Sequence, residues 1–155
     1  MTGSRPEAAS PDASARVSDR SQRRRSLLWW LALCSPLVVP WVVVWTTSAT
    51  LVFPWGMVTV EGWYVITLPA YLETAVGMPP SLEWWPLGTL CYAFALVWAA
   101  AERIGADRRV TAGLLALAAA CSLPVASGLA IEPNRTAIPL GVVHFLLLAT
   151  WAYVR

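Results

Sequence analysis

The sequence has 155 residues, of which 57% are hydrophobic and only 13% are charged. An ordinary soluble domain carries about 25% charged residues, so close to half of the usual charge is missing. The length suits one domain, and a net charge of +2 is too small to indicate a nucleic-acid partner. A water-soluble helical bundle is disfavoured because residues 110–131 offer no polar face to water.

Four runs of the sequence contain no Asp, Glu, Lys or Arg. They are residues 26–60, 84–101, 110–131 and 136–154. A bilayer core needs about 20 helical residues, and each run approaches or exceeds this length. We therefore predict an all-α membrane protein, a four-transmembrane-helix antiparallel bundle whose short connectors place consecutive helices side by side. The helices are expected at about residues 26–50, 82–104, 109–131 and 136–154.

The N-terminal part differs in composition from the rest of the chain. Residues 1–22 are rich in Ser, Ala, Pro, Asp and Arg and are predicted to form a disordered tail. A four-helix transmembrane domain is predicted over residues 23–155. The arginines at 23–25 and the cysteine at Cys34 also allow an export signal or a lipoprotein cleavage box. The apolar run continues far beyond Cys34, which favours an uncleaved helix.

Arginine placement predicts the orientation of the chain. All eleven basic residues are arginines, and in the predicted topology only Arg135 falls on the side opposite the N terminus. Positively charged segments stay in the cytoplasm, so both termini are predicted to be cytoplasmic and the protein to lie in the plasma membrane. The opposite side carries four glutamates, namely Glu61, Glu73, Glu83 and Glu132.

The long connection at residues 54–81 is too apolar for a flexible loop, so we predict a partly structured extracellular segment. Residues 58–65 could form a hairpin around Glu61 and Gly62, and residues 69–76 could form a short helix. Its aromatic side chains make it a candidate outer interaction surface for a second copy of the chain or another membrane protein. The residues of this surface are Phe53, Trp55, Trp63, Tyr64 and Tyr71.

The apolar runs contain no ionisable group of the kind that proton-coupled transport uses. No nucleophile–base pair, phosphate-binding glycine loop or zinc-ligand spacing is present, so the sequence predicts no catalytic residue, metal or cofactor. The single histidine, His144, is a candidate buried polar residue expected to hydrogen-bond a neighbouring helix. The alternative of a haem or metal site formed with Cys91 and Cys121 stays open.

These features predict a non-enzymatic membrane protein that takes part in assembly. Its partners would be the lipid bilayer and itself or another membrane protein, with no nucleic acid. The alternative is a small transporter or permease subunit for a neutral or apolar solute. Prolines in the first, third and fourth predicted helices could mark breaks around a cavity.

Five short pieces of the chain carry a family resemblance. They are residues 50–56 (TLVFPWG), 77–79 (GMP), 85–86 (WP), 110–115 (VTAGLL) and 138–141 (IPLG). Together they resemble a group of small multi-pass membrane proteins from haloarchaea with no assigned function. The resemblance implies a four-helix fold in an archaeal plasma membrane and supplies no activity or site.

Overall fold

A computed structural model of the chain describes residues 11–74, 80–131 and 134–155. The helices are α1 (Pro11–Cys34), α2 (Leu68–Thr74), α3 (Trp84–Ala101), α4 (Arg108–Leu129) and α5 (Leu140–Val154). The strands are β1 (Val42–Trp45), β2 (Ala49–Phe53), β3 (Gly56–Thr59), β4 (Tyr64–Thr67) and β5 (Thr136–Ile138). Short 3₁₀ turns at Ser35–Leu37 and Glu102–Ile104 follow α1 and α3. The chain divides into two compact units between Ala32 and Leu33.

The five strands form one antiparallel sheet in the order β4-β3-β2-β1-β5. Strands β1 to β4 follow one another as a meander, in which Phe53 pairs with Gly56 across a two-residue turn. Strand β5 comes from the distant connection between α4 and α5 and joins the other side of β1, where Val43 pairs with Ile138.

The sheet makes the prediction of an all-α, four-transmembrane-helix bundle wrong. The first predicted helix, at residues 26–50, ends at Cys34, and its second half forms β1 and the beginning of β2. Pro36 and Pro40 lack the N–H that a continuing helix requires. The three consecutive valines of β1 favour extended structure because β-branched side chains pack well on a pleated surface.

The multi-pass four-helix description fails at the C-terminal end as well. The fourth predicted helix, at residues 136–154, begins with β5, and α5 starts only after Pro139. A residue that precedes proline avoids the helical conformation, which keeps Ile138 in the strand. Within the described ranges, two helices, Trp84–Ile104 and Arg108–Leu129, are long and apolar enough to cross a membrane.

Two other predicted segments differ from the structure or lie outside it. Helix α1 includes residues 11–22, which were predicted to belong to a disordered tail. Residues 1–10 of that tail lie outside the described residues. The same holds for residues 75–79, where the sequence placed the end of the short outer helix that the structure has as α2.

Trp41 occupies the junction between the sheet and two helices. Its ring meets those of Tyr92 in α3 and Phe145 in α5 edge to face, with centroids 6.0 Å and 4.8 Å away. All three rings are buried, and such edge-to-face contacts add to the free energy gained by burial. The Trp41 indole also donates to the Pro36 carbonyl at 3.2 Å, so a carbonyl freed by the proline break is satisfied.

Helix α4 lies between α3 and α5 and packs against both. Most side chains on its buried positions are small, which lets the helix backbones approach closely. They include Ala112, Ala118, Ala119, Ser122 and Ala126.

The ends of α3, α4 and α5 that lie away from the sheet are joined by one carboxylate. Glu102 follows α3, accepts a 2.6 Å hydrogen bond from the Thr111 hydroxyl in α4, and forms an ion pair with Arg155 after α5. The side chain of Asp107 caps α4 by accepting from the backbone N–H of Arg109 at 2.8 Å. Three helix ends are thus fixed by two acidic side chains.

Candidate interaction surface

The β3–β4 hairpin closes with a four-residue loop at residues 60–63. Thr59 pairs with Tyr64 at its base, and two consecutive loop residues have positive φ angles, Gly62 at 86° and Trp63 at 49°. Glycine adopts this conformation freely. A tryptophan does not, because its Cβ crowds the backbone there. The Trp63 side chain is nevertheless 79% exposed. Packing of the indole inside the fold therefore does not account for the strained backbone.

Strand β4 forms one edge of the sheet and, within the described residues, pairs only with β3. Successive side chains of a strand point to opposite faces, yet both Tyr64, at 63% exposure, and Val65 are exposed. Val60 in the adjoining loop is exposed too. We call Val60, Trp63, Tyr64 and Val65 the edge patch.

Phe53 and Trp55 lie at the other end of this hairpin. Trp55 is five residues, or roughly 16 Å at 3.3 Å per residue, from Val60, which lies opposite Trp63. The rings of Phe53 and Trp55 stack with centroids 5.0 Å apart. Phe53 is buried, so the ring of Trp55 stacks on a buried ring. Trp55 is 43% exposed, but its indole N–H is held by the Leu37 carbonyl at 2.9 Å.

Tyr71 in α2 is half-buried against α3, with its ring 5.5 Å from that of Trp85. The Trp85 indole donates to the Phe53 carbonyl at 2.9 Å, and the Thr89 hydroxyl donates to the Pro54 carbonyl at 3.0 Å. The beginning of α3 therefore supports the β2–β3 turn. Of the five residues predicted for the outer surface, Trp63 and Tyr64 belong to the edge patch, Phe53 and Tyr71 contact Trp85 of α3, and Trp55 stacks on Phe53.

His144 in α5 is half-buried and hydrogen-bonded to Ser35, with its Nε2 atom 2.8 Å from the serine hydroxyl oxygen. The ring stacks on Phe145 at 6.2 Å. Cys91 and Cys121 lie elsewhere, on α3 and α4, where Cys121 packs beside Gly88, one turn before Cys91. Among residues 11–74, 80–131 and 134–155, no three His, Cys, Asp or Glu side chains form a group that could hold a metal ion.

Large apolar side chains cover the outward faces of α3, α4 and α5. On α3, Phe94 and Val97 are 60% and 66% exposed, whereas Ala95 and Ala99 are buried. This reverses the usual order of a water-soluble bundle, in which large apolar residues lie inside and polar ones outside. We call the exposed set the apolar belt: Leu87, Leu90, Phe94, Val97, Leu117, Leu123, Val143 and Leu147.

Comparison with known families finds a match to a domain of unknown function (DUF8050) over residues 9–155. The chain belongs to the DUF8050 family. The sequence matches none of the curated proteins with which it was compared. The DUF8050 description assigns no activity. It also tests neither the haloarchaeal resemblance nor a membrane location.

Two features of this DUF8050 chain went unrecognised in the sequence. Trp41 was treated as part of a helix, although the valine run after it and Pro40 before it signal a strand. The sequence pattern also predicts no contact for Glu102. Its pairing with Arg155 depends on two helix ends meeting across 53 positions of sequence, and no local pattern reveals such a contact.

Proposed function

We propose that this chain is an integral membrane protein that serves, without catalysis, in the assembly of a membrane complex through its β-sheet. The observation that carries the proposal is the apolar belt on α3, α4 and α5. Exposing apolar surface to water costs about 25 cal/mol per Å², and acyl chains around the belt would remove that cost. The small residues at the buried contacts between these helices are also typical of helices that pack in a lipid bilayer.

The proposed orientation places the sheet outside and the Glu102 end of the helices in the cytoplasm. Arg103, Arg108, Arg109 and Arg155 all lie at that end, and arginines near membrane-spanning segments favour the cytoplasmic side. At about 1.5 Å per residue, α3 and α4 are roughly 27 and 33 Å long, close to the bilayer core of about 30 Å. A cytoplasmic N terminus and an archaeal plasma membrane follow from the arginine distribution and the haloarchaeal resemblance.

The proposed role in assembly rests on the edge patch. A non-glycine residue in the left-handed region costs on the order of 1 kcal/mol or more, and the Trp63 side chain, 79% exposed, is not buried by the described residues. Tryptophan is enriched among residues that dominate binding. Among the described residues, strand β4 is an edge strand, and a further strand can add to such an edge. The partner is a second copy of this chain or another membrane protein.

Membrane integration is tested by washing membranes of expressing cells with alkaline carbonate. We expect the protein to stay in the pellet and to enter the supernatant only with detergent. The variant Phe94→Arg, which introduces a charge into the apolar belt, should accumulate less in the membrane than Ala106→Arg at the helix end. Release of the unaltered protein by carbonate would refute the proposal.

Assembly is tested with Trp63→Asn, because asparagine tolerates a positive φ. We expect the variant to keep or raise the thermal unfolding midpoint in detergent while the complex measured by light scattering falls to the mass of a single chain. The control Trp84→Leu removes an exposed tryptophan from α3 and should leave the complex intact. A Trp63→Asn protein that still forms the wild-type complex would contradict the role of the edge patch.

A second candidate function, the transport of a neutral or apolar solute, is favoured by one cavity. It has a volume of about 200 Å³ and lies between the sheet and the end of α4. Its lining residues are Val44, Thr46, Thr50, Val52, Met57, Leu129 and Arg135. Transport requires access from both sides, so Thr46→Cys in a cysteine-free background should react with impermeant maleimide from either side. Reaction from the outside alone would remove this candidate.

A further inference from the structure

Helix α1 carries arginines that are followed directly by leucines. Arg20, Arg24 and Leu28 succeed one another at four-residue intervals and therefore share one face of the helix. Ser21 and Arg25 lie beside them, and the five side chains line a surface groove of about 420 Å³. All five are exposed, so the groove is open to a ligand.

The same face becomes apolar towards the C-terminal end of α1. Leu28 and Leu31 are both exposed, and Leu31 lies about two turns, or roughly 10 Å, beyond Arg24. The face thus presents guanidinium groups at one end and hydrocarbon at the other. A ligand that complements both ends is an amphiphilic anion, whereas a free phosphate or a nucleic acid would leave the leucines unused.

We propose that this groove binds an anionic phospholipid, with the headgroup phosphate between Arg20, Arg24 and Arg25 and an acyl chain along Leu28 and Leu31. The inference rests on the membrane location proposed above and adds a specific lipid class to it. Guanidinium groups can bind phosphate oxygens in pairs.

The retention of phosphatidylglycerol by the full chain tests this proposal. The protein is reconstituted in phosphatidylcholine nanodiscs that contain a minority of phosphatidylglycerol, and native mass spectrometry counts the lipids kept after release. Two basic residues near a membrane surface contribute strongly to anionic-lipid binding, so the R20Q/R24Q variant should retain about tenfold less phosphatidylglycerol. The control R103Q/R108Q removes the same charge elsewhere and should retain as much as the wild type.

A second pair of measurements separates a lipid site from a phosphate site. The L28S/L31S variant, which keeps every arginine, should also retain less phosphatidylglycerol, and excess inorganic phosphate should not displace the lipid from the wild type. Complete displacement by inorganic phosphate would overturn the lipid assignment. So would equal losses in R20Q/R24Q and R103Q/R108Q, because net charge alone would then explain the binding.

The two proposals fail in different ways. A chain released from membranes by carbonate would refute the membrane location itself. A chain that stays in the membrane, but retains phosphatidylglycerol equally with and without Arg20 and Arg24, would refute only the lipid groove.

Discussion

Gly141 lies directly against the backbone of Trp41. Its N–H donates to the Trp41 carbonyl at 2.7 Å, and a Cβ atom added at Gly141 would lie 3.1 Å from the Cα, Cβ and carbonyl oxygen of Trp41. Trp41 cannot easily move away, because its own N–H donates to the Val52 carbonyl at 2.7 Å and its ring is buried between α3 and α5. The absence of a side chain at Gly141 therefore sets how closely α5 approaches the sheet.

We predict that Gly141→Val lowers the free energy of unfolding by about 1–3 kcal/mol, the usual cost of overpacking. This corresponds to a fall of several degrees in the thermal midpoint, measured in detergent by the loss of helical circular dichroism. The control Gly113→Ala places a methyl group in α4 where, apart from the backbone of its own helix, no atom of the described residues lies within 4 Å. It should be neutral or stabilising by up to about 1 kcal/mol. Equal midpoints for the two variants would contradict the contact.

Tyr92 tests the connection between α3 and the end of α1. Its buried hydroxyl donates to the Leu33 carbonyl at 2.8 Å, and Tyr92→Phe leaves that carbonyl without this donor. We expect a loss of about 1–2 kcal/mol in the free energy of unfolding, the cost of a buried unsatisfied group. Tyr153→Phe removes a hydroxyl from an exposed ring of α5 and should change the midpoint little. An unaffected Tyr92→Phe protein would show that water satisfies the carbonyl.

The sequence located the apolar helices better than it located the sheet. Residues 84–101 and 110–131 lack charge, and α3 and α4 form there because the connector between them supplies helix-ending and helix-capping residues. The run at residues 26–60 passes the same test of length and charge. An apolar run alone does not distinguish a helix from buried strands, and the decisive signals there were its prolines and β-branched residues.

Other features of the fold could not be derived from local patterns. Strand β5 exists because residues 136–138 meet β1 across a long stretch of sequence, and a three-residue strand has almost no signal of its own. The five residues predicted for the outer surface fall into separate groups for a similar reason. Phe53 and Tyr71 are aromatic residues of the same segment as Trp63, but both contact Trp85 of α3, a partner that the local sequence does not reveal.

Glu102 should stabilise the helix ends away from the sheet. Its carboxylate bonds the Thr111 hydroxyl and pairs with Arg155, and Glu102→Gln removes the charge while keeping the shape. Because the pair is partly exposed to solvent, we expect a loss of only about 1 kcal/mol, seen as a midpoint a few degrees lower. The effect should shrink after Arg155→Gln, since the two residues would be coupled.

Glu83→Gln is the matched control for this experiment. Glu83 precedes α3 and makes no side-chain capping hydrogen bond there, so its neutralisation should leave the midpoint unchanged. Equal effects of the two substitutions, or full additivity of Glu102→Gln and Arg155→Gln, would contradict the proposed connection between the helix ends.

Cys91 and Cys121 provide a direct test of how α3 packs against α4. Cys121 packs beside Gly88, which lies one turn before Cys91 in α3, so oxidation with copper–phenanthroline and oxygen should join the two thiols as a disulfide in a Cys34→Ser background. The disulfide would appear as the loss of two hydrogens in the intact mass and as protection of both thiols from maleimide. The pair Cys34 and Cys91 in a Cys121→Ser background serves as the control and should stay reduced. A shift of one residue along either helix turns its side chain by about 100°, so the absence of the Cys91–Cys121 disulfide would mean that the two helices pack in a different register.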